Sequence, residues 1–543
     1  MSKHSSVSSA PNALSVEHFT WLGPIALDHL ESVVAVHSCS DETSSTVPSS
    51  QGQVELTQLL RGRFEALGAE VEVDDFANII ARYPGRGRGV DAAPIALMIH
   101  LDTAHGTLAL PKLNLNKSWS GDPVPFERNP SLQVSVEHYP SLSQFLGQTI
   151  VHGFGDAPFG LDDKLGLTHL LSLATLLSGV GEAQGALDGV DLPPVWLIGR
   201  PDEEIGRDDA LIGLSKRLQD AGVTRGYTVD GIEPFEVNVA NFFAGKAEVS
   251  APCGSGSTLP VGVPLQVKLG GVNTHGATAH AEGHRGAIRW VAELWRAVKG
   301  SGVRLCQYHA SADRECDGVL YAWAPHLEAG MRLREAINQY VTPHIPRGAS
   351  VEMEEWVIDD EVSADPTLEQ LVTWLGDTLF ESAPSYPLLA EDSSGWEGYS
   401  HPAHLGLDKS ETSWALTWRL RDFELSQLEA RAQHLKSRLE SSALAQASFE
   451  WSRQYDNMAS RLEGAPELVS WAVEGASALG LEAKVMPIRG GTGVDPFLDR
   501  GVMVANLGTG YFSPESEKEL TSVEYMVQHA LWLVSLLAKS VDA

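Results

Sequence analysis

Residues 195–206 read VWLIGRPDEEIG, and this stretch decides the fold. Its first five residues are apolar or glycine, which predicts a short strand buried on both faces, as in a parallel sheet. Three adjacent carboxylates, Asp202, Glu203 and Glu204, follow in the next turn. A turn after a parallel strand lies at the carboxyl edge of the sheet, where ligands bind, and the mutual repulsion of these carboxylates indicates a cation there.

Two other apolar runs end in the same way. Residues 94–100 end at His100, with Asp102 just beyond, and residues 227–230 end at Asp230. Asp162 and its neighbour at position 163 stand at the start of a predicted helix whose leucines repeat at helical spacing. Each of these residues alone fits a structural role, such as a helix cap. Together they predict one crevice at the sheet edge that holds a pair of divalent metals.

The composition excludes several classes of partner. The 543 residues include 39 Lys and Arg against 71 Asp and Glu, a formal net charge of -32. This negative field argues against nucleic acid and anionic membranes, because both carry phosphate. No stretch approaches the roughly 20 apolar residues that span a bilayer, and residues 1–19 lack the apolar core of a signal peptide. We therefore expect no nucleic-acid partner, no membrane partner and a cytoplasmic location.

The length of the chain and a change in its pattern of helices and strands predict more than one domain. Helix and strand alternate over residues 1–238 and again over residues 452–543. Residues 239–451 instead combine alternating strands, such as 246–250, with helices, such as 284–299, which is typical of an α+β unit. The sequence thus predicts an α/β catalytic domain, with a mixed sheet and helices on both faces, that is interrupted by an α+β lid.

Ordered motifs resemble the zinc metallopeptidase family that includes peptidase T, carboxypeptidase G and aminoacylase, with peptidase T the most similar of these. The resemblance runs from about residue 25 to the C-terminus, and an enlarged part of the lid, about 300–395, has no counterpart in peptidase T. It implies a metallopeptidase catalytic domain interrupted by a lid that serves in dimerisation. The motifs lie at residues 47–53, 100–103, 162–166, 201–206, 227–231, 275–279, 420–423, 457–458 and 487–492.

The resemblance implies a centre with two metals, zinc before others. His100 and Asp230 would bind one ion, Asp162 would bridge both ions, and Glu204 would bind the other. Asp102 would orient the imidazole of His100 from behind by holding its second ring nitrogen. The ligand types agree with this implication, since imidazole and carboxylate are both common zinc ligands.

The resemblance also implies catalytic and substrate-binding residues. Glu203 would be the general base, taking a proton from a water that the two metals share. His275, in the lid, would stabilise charge on the carbonyl oxygen, and Arg421 and Arg489 would bind a substrate carboxylate. Each of these last three also has an ordinary structural explanation, either a surface histidine near a glycine turn or arginines paired with local acids.

One position departs from the family's pattern. Where peptidase T has its last ligand histidine, residues 511–519 read YFSPESEKE and place Glu515 at the position of the histidine. If Glu515 ligates, the second metal is held by the carboxylates of Asp162, Glu204 and Glu515, which favours manganese, cobalt or magnesium more than a site with histidine does. If the loop turns away, the second site is incomplete. We expect the first outcome, because the other ligand positions and Glu203 are retained.

The sequence therefore predicts a metal-dependent exopeptidase for short peptides, and the resemblance points to a tripeptide aminopeptidase. Dipeptidase, carboxypeptidase or N-acyl amino acid amidohydrolase activity stays open, because the lid sets the substrate in such a fold. A catalytically degraded, peptide-binding relative also stays open because of Glu515. The resemblance further allows a homodimer that forms through the lid.

Overall fold

The computed structural model describes residues 14–311, 314–356, 361–381, 386 and 388–541. The first part of the chain forms helices and short strands that alternate, as predicted. In chain order these elements are α1 (Leu22–Val34), α2 (Gln51–Ala66), β1 (Glu70–Val73), β2 (Ile79–Tyr83), β3 (Ile95–His100), β4 (Asn114–Asn116), β5 (Ile150–His152), α3 (Leu161–Ser178), β6 (Val195–Arg200), α4 (Asp209–Asp220), β7 (Arg225–Gly231) and β8 (Glu236–Asn238).

The chain then builds the lid and afterwards returns to the first unit. The lid elements are β9 (Phe243–Pro252), β10 (Val263–Gly270), α5 (Ala279–Glu282), α6 (Ala287–Val298), β11 (Arg304–Ala310), β12 (Gly318–Ala324), α7 (Leu327–Tyr340), β13 (Ser350–Glu355), α8 (Pro366–Glu381), β14 (Tyr399–Leu407), β15 (Ser413–Asp422), α9 (Leu425–Glu440) and β16 (Ser448–Tyr455). The returning elements are α10 (Ala459–Leu462), α11 (Glu467–Ala478), β17 (Lys484–Met486), α12 (Asp495–Leu498), β18 (Met503–Gly508), β19 (Leu520–Ser522) and α13 (Val523–Val541).

An eight-stranded mixed sheet forms the centre of the first unit, in the order β1-β2-β6-β3-β7-β18-β8-β17. Strands β6, β3, β7 and β18 run parallel to one another, whereas β2 joins β6 antiparallel. Every residue of β3 is buried, as predicted for a parallel strand covered on both faces. His100 pairs in register with Arg200, so β3 and β6 end at the same level of the sheet.

The lid contains two four-stranded sheets, ordered β11-β12-β10-β13 and β14-β15-β9-β16. Helix α7 contacts the first sheet and α9 the second, whereas α6 and α8 each contact strands of both sheets. Helix α6 lies within the predicted helix 284–299, and its face that includes Ile288, Val291 and Val298 is buried. Strands β11, β12 and β13 and helices α7 and α8 all lie within the enlarged stretch, residues 300–395, which therefore builds most of the first lid sheet.

The predicted fold class is confirmed as a mixed α/β unit interrupted by an α+β lid. The two parts have separate apolar cores, one around the central sheet and one between the lid sheets and their helices. The proposed limits at 238/239 and 451/452 stay predictions, and the second limit falls inside β16. Among the residues that the structure describes, no helix is both long and apolar enough to cross a bilayer.

Candidate active site

The candidate site lies where the parallel strands end. His100 is the last residue of β3, Asp230 lies one residue before the end of β7, and Glu204 follows β6 in the next turn. Asp162 stands in the first turn of α3, where its backbone departs from helical geometry, with φ -85° and ψ 104°. This edge is the place where a doubly wound sheet presents ligand-binding groups. The predicted convergence of these residues on one crevice is therefore observed.

His100, Asp162 and Asp230 form the first group of candidate metal ligands. The Nε2 atom of His100 lies 3.0 Å from Oδ1 of Asp162 and 3.4 Å from Oδ1 of Asp230. One ligand atom from each residue lies within 4.8 Å of the others, close enough for all three to share an ion. The ring of His100 is buried, so its neighbours rather than solvent decide where it points.

Asp102 contacts both His100 and the acidic turn that follows β6. Its backbone carbonyl lies 3.0 Å from Nδ1 of His100, and its Oδ1 atom lies 3.4 Å from the same nitrogen. Its two carboxylate oxygens also accept hydrogen bonds of 3.0 Å from the backbone N–H groups of Glu203 and Glu204. A buried carboxylate with these partners fixes the imidazole and the acidic turn together. The connection to Glu203 and Glu204 goes beyond the role that the sequence suggested for Asp102.

Asp162, Glu204 and Glu515 form the second group, and their ligand atoms also lie within 4.8 Å of one another. Asp162 belongs to both groups, which is the arrangement expected of a bridging ligand. Glu515 takes a left-handed backbone conformation with φ 54°, which costs about 1 kcal/mol or more for a residue other than glycine. Asn273 of the lid offsets part of this cost, because its side-chain amide donates to the backbone carbonyl of Glu515 at 2.9 Å.

The loop 511–519 is held against the start of α3. The phenol of Tyr511 donates to Oδ2 of Asp162 at 2.9 Å. Farther along the loop, Oε2 of Glu519 accepts a hydrogen bond of 2.6 Å from the backbone N–H of Gly160. Because both contacts attach the loop to residues around the bridging aspartate, the alternative in which the loop turns away from the site is not observed.

Burial and mutual repulsion determine the charges at the site. Burial, followed by the charges of Glu515 and Asp162, raises the pKa of Glu204 well above its usual value. Burial also raises the pKa of Asp230 to about 7, against the opposing effect of His100. For His100 itself burial lowers the pKa, but the surrounding aspartates outweigh this and raise it well above its usual value. The charged forms of Glu204 and Asp230 are therefore disfavoured by their surroundings, and a nearby cation would favour them.

The residues fit a pair of divalent cations. The Oε1 atom of Glu204 is buried and, within the described part of the chain, has no hydrogen-bond partner. A buried carboxylate oxygen without a partner is unfavourable unless a cation approaches it. One imidazole and four carboxylates make up the two ligand groups, a donor set that suits zinc and also harder ions such as manganese or magnesium. The two groups together form a candidate site for two divalent metals.

Glu203 and His275 come to the centre from different parts of the chain. Glu203 follows β6, and its Oε1 atom lies 3.7 Å from Nη2 of Arg200. His275 belongs to the lid, and its Nε2 atom lies 3.6 Å from Oε1 of Glu515. The lid histidine therefore reaches the candidate metal centre of its own chain, and Glu203 directly precedes Glu204 in the acidic turn, with its backbone N–H bound to Asp102.

Arg421 and Arg489 are engaged with other groups. Arg421 donates to the side-chain oxygen of Gln454 at 3.1 Å. Arg489 donates to the backbone carbonyls of Gly395 and Glu397 at 2.9 and 2.7 Å, so it joins the returning part of the chain to the lid. Their role in binding a substrate carboxylate stays a prediction.

Four residues that contact the site were not among the predicted ligands or catalytic residues. Asp163 is buried and accepts a hydrogen bond of 3.2 Å from the backbone N–H of His100. Tyr511 and Glu519 anchor the loop that carries Glu515. Arg200 lies beside the predicted base. A signal existed for Arg200, since it is a charged residue at the end of an otherwise apolar strand. Asp163 stood beside Asp162 at the predicted helix start, whereas no signal existed for Tyr511 and Glu519, because their partners are distant in sequence.

Comparison with known proteins gives relatives over nearly the whole chain, although no protein-family model matches it. Peptidase T of Geobacillus kaustophilus is 24% identical over 510 residues, which cover 92% of this chain and 95% of the relative. Peptidase T of Aeromonas salmonicida is 24% identical over 511 residues, which cover 93% of this chain and 95% of the relative.

Solved structures show the same fold at lower identity. An aminopeptidase of Bacillus cereus matches with a TM-score of 0.50 and 14% identity, covering 96% of this chain and 99% of that chain. Human carnosine dipeptidase 1 matches with a TM-score of 0.51 and 14% identity, covering 98% and 100%. The chain is therefore similar to peptidase T over nearly its whole length, and it shares the fold of these two solved structures.

Proposed function

We propose that the chain is a metal-dependent exopeptidase that hydrolyses short peptides, removing the N-terminal residue of tripeptides. The observation that carries the proposal is the pair of candidate ligand groups that share Asp162 at the carboxyl edge of the sheet. The relatives named peptidase T support a peptide substrate. We propose a short peptide as the only partner required for activity, and the cytoplasm as the location.

The two ligand groups support different metals. The group of His100, Asp162 and Asp230 combines an imidazole with carboxylates, for which we propose zinc. The group of Asp162, Glu204 and Glu515 offers only carboxylates, which lowers the preference for zinc. For this second site we propose zinc, manganese, cobalt or magnesium, with the choice set by reconstitution.

The side chains around the centre can carry the hydrolysis. When bound, divalent ions polarise the peptide carbonyl and make water more acidic. Glu203 takes the proton of the attacking water and passes it to the leaving amine. Asp102 holds the backbone of Glu203, so the base keeps its place at the sheet edge. His275 supplies a hydrogen-bond donor for the negative charge that develops on the carbonyl oxygen.

The homodimer through the lid is a separate proposal. In one chain His275 already lies 3.6 Å from Glu515, so a second subunit is not required to bring a lid histidine to the centre. Light scattering gives the mass of the protein, and so its dimer or monomer state, at each dilution. We expect specific activity to stay constant as the protein is diluted from dimer to monomer. Activity that falls with dissociation would instead show that a partner completes the site.

The test of the function is release of the N-terminal residue from a mixed set of tripeptides after reconstitution with zinc, manganese or cobalt. We expect turnover by the wild type, and a loss of at least about 100-fold in kcat for Glu203→Ala, in line with removal of a general base. Bound metal should be unchanged in that variant. Cleavage only of dipeptides, of C-terminal residues or of acyl amino acids would reassign the substrate, and no cleavage with any metal would favour a peptide-binding protein.

A further inference from the structure

Arg200 is a buried cation at the edge of the candidate active site. It is the last residue of β6, opposite His100 in the neighbouring strand, and only 1% of its surface is exposed. An arginine in such a position needs partners, because a buried charge is costly unless it is paired and hydrogen-bonded. Because its side chain is shielded from solvent, we look for its role in its contacts with the protein.

The partners of Arg200 lie on both sides of the crevice edge. Its Nη2 atom lies 3.7 Å from Oε1 of Glu203 and donates a hydrogen bond of 3.3 Å to the backbone carbonyl of Thr492. Its Nε atom is buried and has no partner within the described ranges. The guanidinium therefore stands between the proposed general base and the turn after β17, and among the described residues the carboxylate at ion-pair distance from it is that of Glu203.

The turn at Gly493 leaves space for this guanidinium. Gly493 has a positive φ of 54°, which favours glycine. A Cβ atom built on Gly493 would lie 2.5 Å from Nη2 and 2.8 Å from Nη1 of Arg200, closer than such atoms can approach. Hence Arg200 and Gly493 fit each other, and any other residue at position 493 would displace the guanidinium.

We propose that Arg200 is a positioning residue for Glu203. The planar, always charged guanidinium attracts the carboxylate of Glu203 and ties it, through Thr492, to the turn at Gly493. This restrains the side chain of the base, while Asp102 restrains its backbone. The inference rests on the proposed function, in which Glu203 moves the proton. It explains why an arginine stands at the end of an otherwise apolar strand.

The test compares Arg200→Met and Gly493→Ala with Arg431→Met as a matched control. Arg431 is also buried and lies 2.8 Å from the carboxylate of Asp422, but in the lid. Misplacing a catalytic group costs up to about 100-fold, so we expect kcat to fall about 10- to 100-fold in both site variants. KM should change less than about threefold and bound metal should be unchanged. Arg431→Met should lose thermal stability but keep kcat.

A double variant and a crystal structure complete the test. If the two residues act through one guanidinium, adding Gly493→Ala to Arg200→Met should cause no further loss of kcat. A kcat for Arg200→Met within twofold of the wild type, or fully additive losses, would overturn the proposal. If the wild type has no peptidase activity, the proposed function fails, and the crystal structure decides this inference by itself. A Glu203 side chain that moves in Arg200→Met supports it, and one that stays in place rejects it.

Discussion

The carboxylate of Glu519 accepts the backbone N–H of Gly160 at 2.6 Å, although the two residues lie 359 positions apart. This hydrogen bond joins the loop 511–519 to the first turn of α3, which carries Asp162. The loop brings Glu515 to the candidate metal centre, and the helix start brings the bridging aspartate. One buried contact thus holds together the two segments that the second ligand group requires.

Removing this contact should weaken the second metal site. In Glu519→Ala, the backbone N–H groups of Gly160 and Leu161 lose their acceptor, at a cost of roughly 1–3 kcal/mol for each buried group left unpaired. We expect a lower thermal midpoint and weaker binding of the second ion, measured by calorimetric titration of the metal-free protein. Glu524, at the start of α13, accepts the backbone N–H of Thr149. Glu524→Ala removes that acceptor and should lower stability without weakening metal binding.

Asp102→Asn should lower the affinity of the candidate centre for metal. An amide cannot accept the N–H groups of both Glu203 and Glu204 while facing the ring of His100. Loss of such supporting hydrogen bonds typically lowers metal affinity about 10- to 100-fold. Metal titration of the variant measures this. The exposed Asp41→Asn is the control, and equal affinities for the two variants would contradict the role of Asp102.

Glu515 should control the number and type of bound ions. We expect Glu515→Ala to bind one divalent ion where the wild type binds two, because the second group loses one of its three carboxylates. Glu515→His should bind two and prefer zinc, since imidazole suits zinc better than manganese or magnesium. Elemental analysis after reconstitution gives the number and the type of ions that each variant binds. Glu315 lines the same pocket as Glu515 but belongs to neither ligand group. The control Glu315→Gln should therefore keep both ions.

His275→Ala should lower kcat with little effect on bound metal. Loss of one donor to a developing oxyanion lowers kcat about 100- to 1,000-fold, and the proximity of His275 to Glu515 places it where such a donor is needed. Steady-state kinetics on the preferred tripeptide measure the loss. The exposed lid histidine in His309→Ala is the control and should retain wild-type kcat. An equal kcat for His275→Ala would remove this residue from the chemistry.

His529 should make the protein less stable in acid. It lies in α13, stacked between Phe235 and His169, and its Nδ1–H donates to the carbonyl of Tyr525 while Nε2 accepts the N–H of Phe235. Burial, and then the neighbouring His169, lowers the pKa of His529 well below its usual 6.5. Burial lowers the pKa of His169 to about 4.

Because the folded state keeps these rings neutral, their contribution to stability is present above pH 6.5 and is lost as the pH falls towards 4. Thermal midpoints measured between pH 7 and pH 5 should therefore drop, and His529→Leu should reduce the slope. A variant with the same slope as the wild type would show that other groups set the acid sensitivity.

Several features followed from local sequence alone. The apolar runs of β3, β6 and β7 and the carboxylates after them follow from side-chain type, since such strands pack under helices and end at a sheet edge. Leucines that repeat at helical spacing likewise predicted the helix that begins near Asp162. The resemblance to the metallopeptidase family could also place Glu515 at the position of a missing histidine, because the family's motifs occur here in the same order.

Tertiary structure alone decided which of these groups meet. Glu515 lies with Asp162 because Tyr511 and Glu519 attach its loop to α3, and no local pattern predicts a partner more than 300 residues away. Asp102 supports Glu203 as well as His100, and Arg200 fits Gly493, through contacts between separate strands and turns. Local sequence determines the shape and charge of each segment, whereas long-range packing determines distances, and metal binding and catalysis depend on those distances.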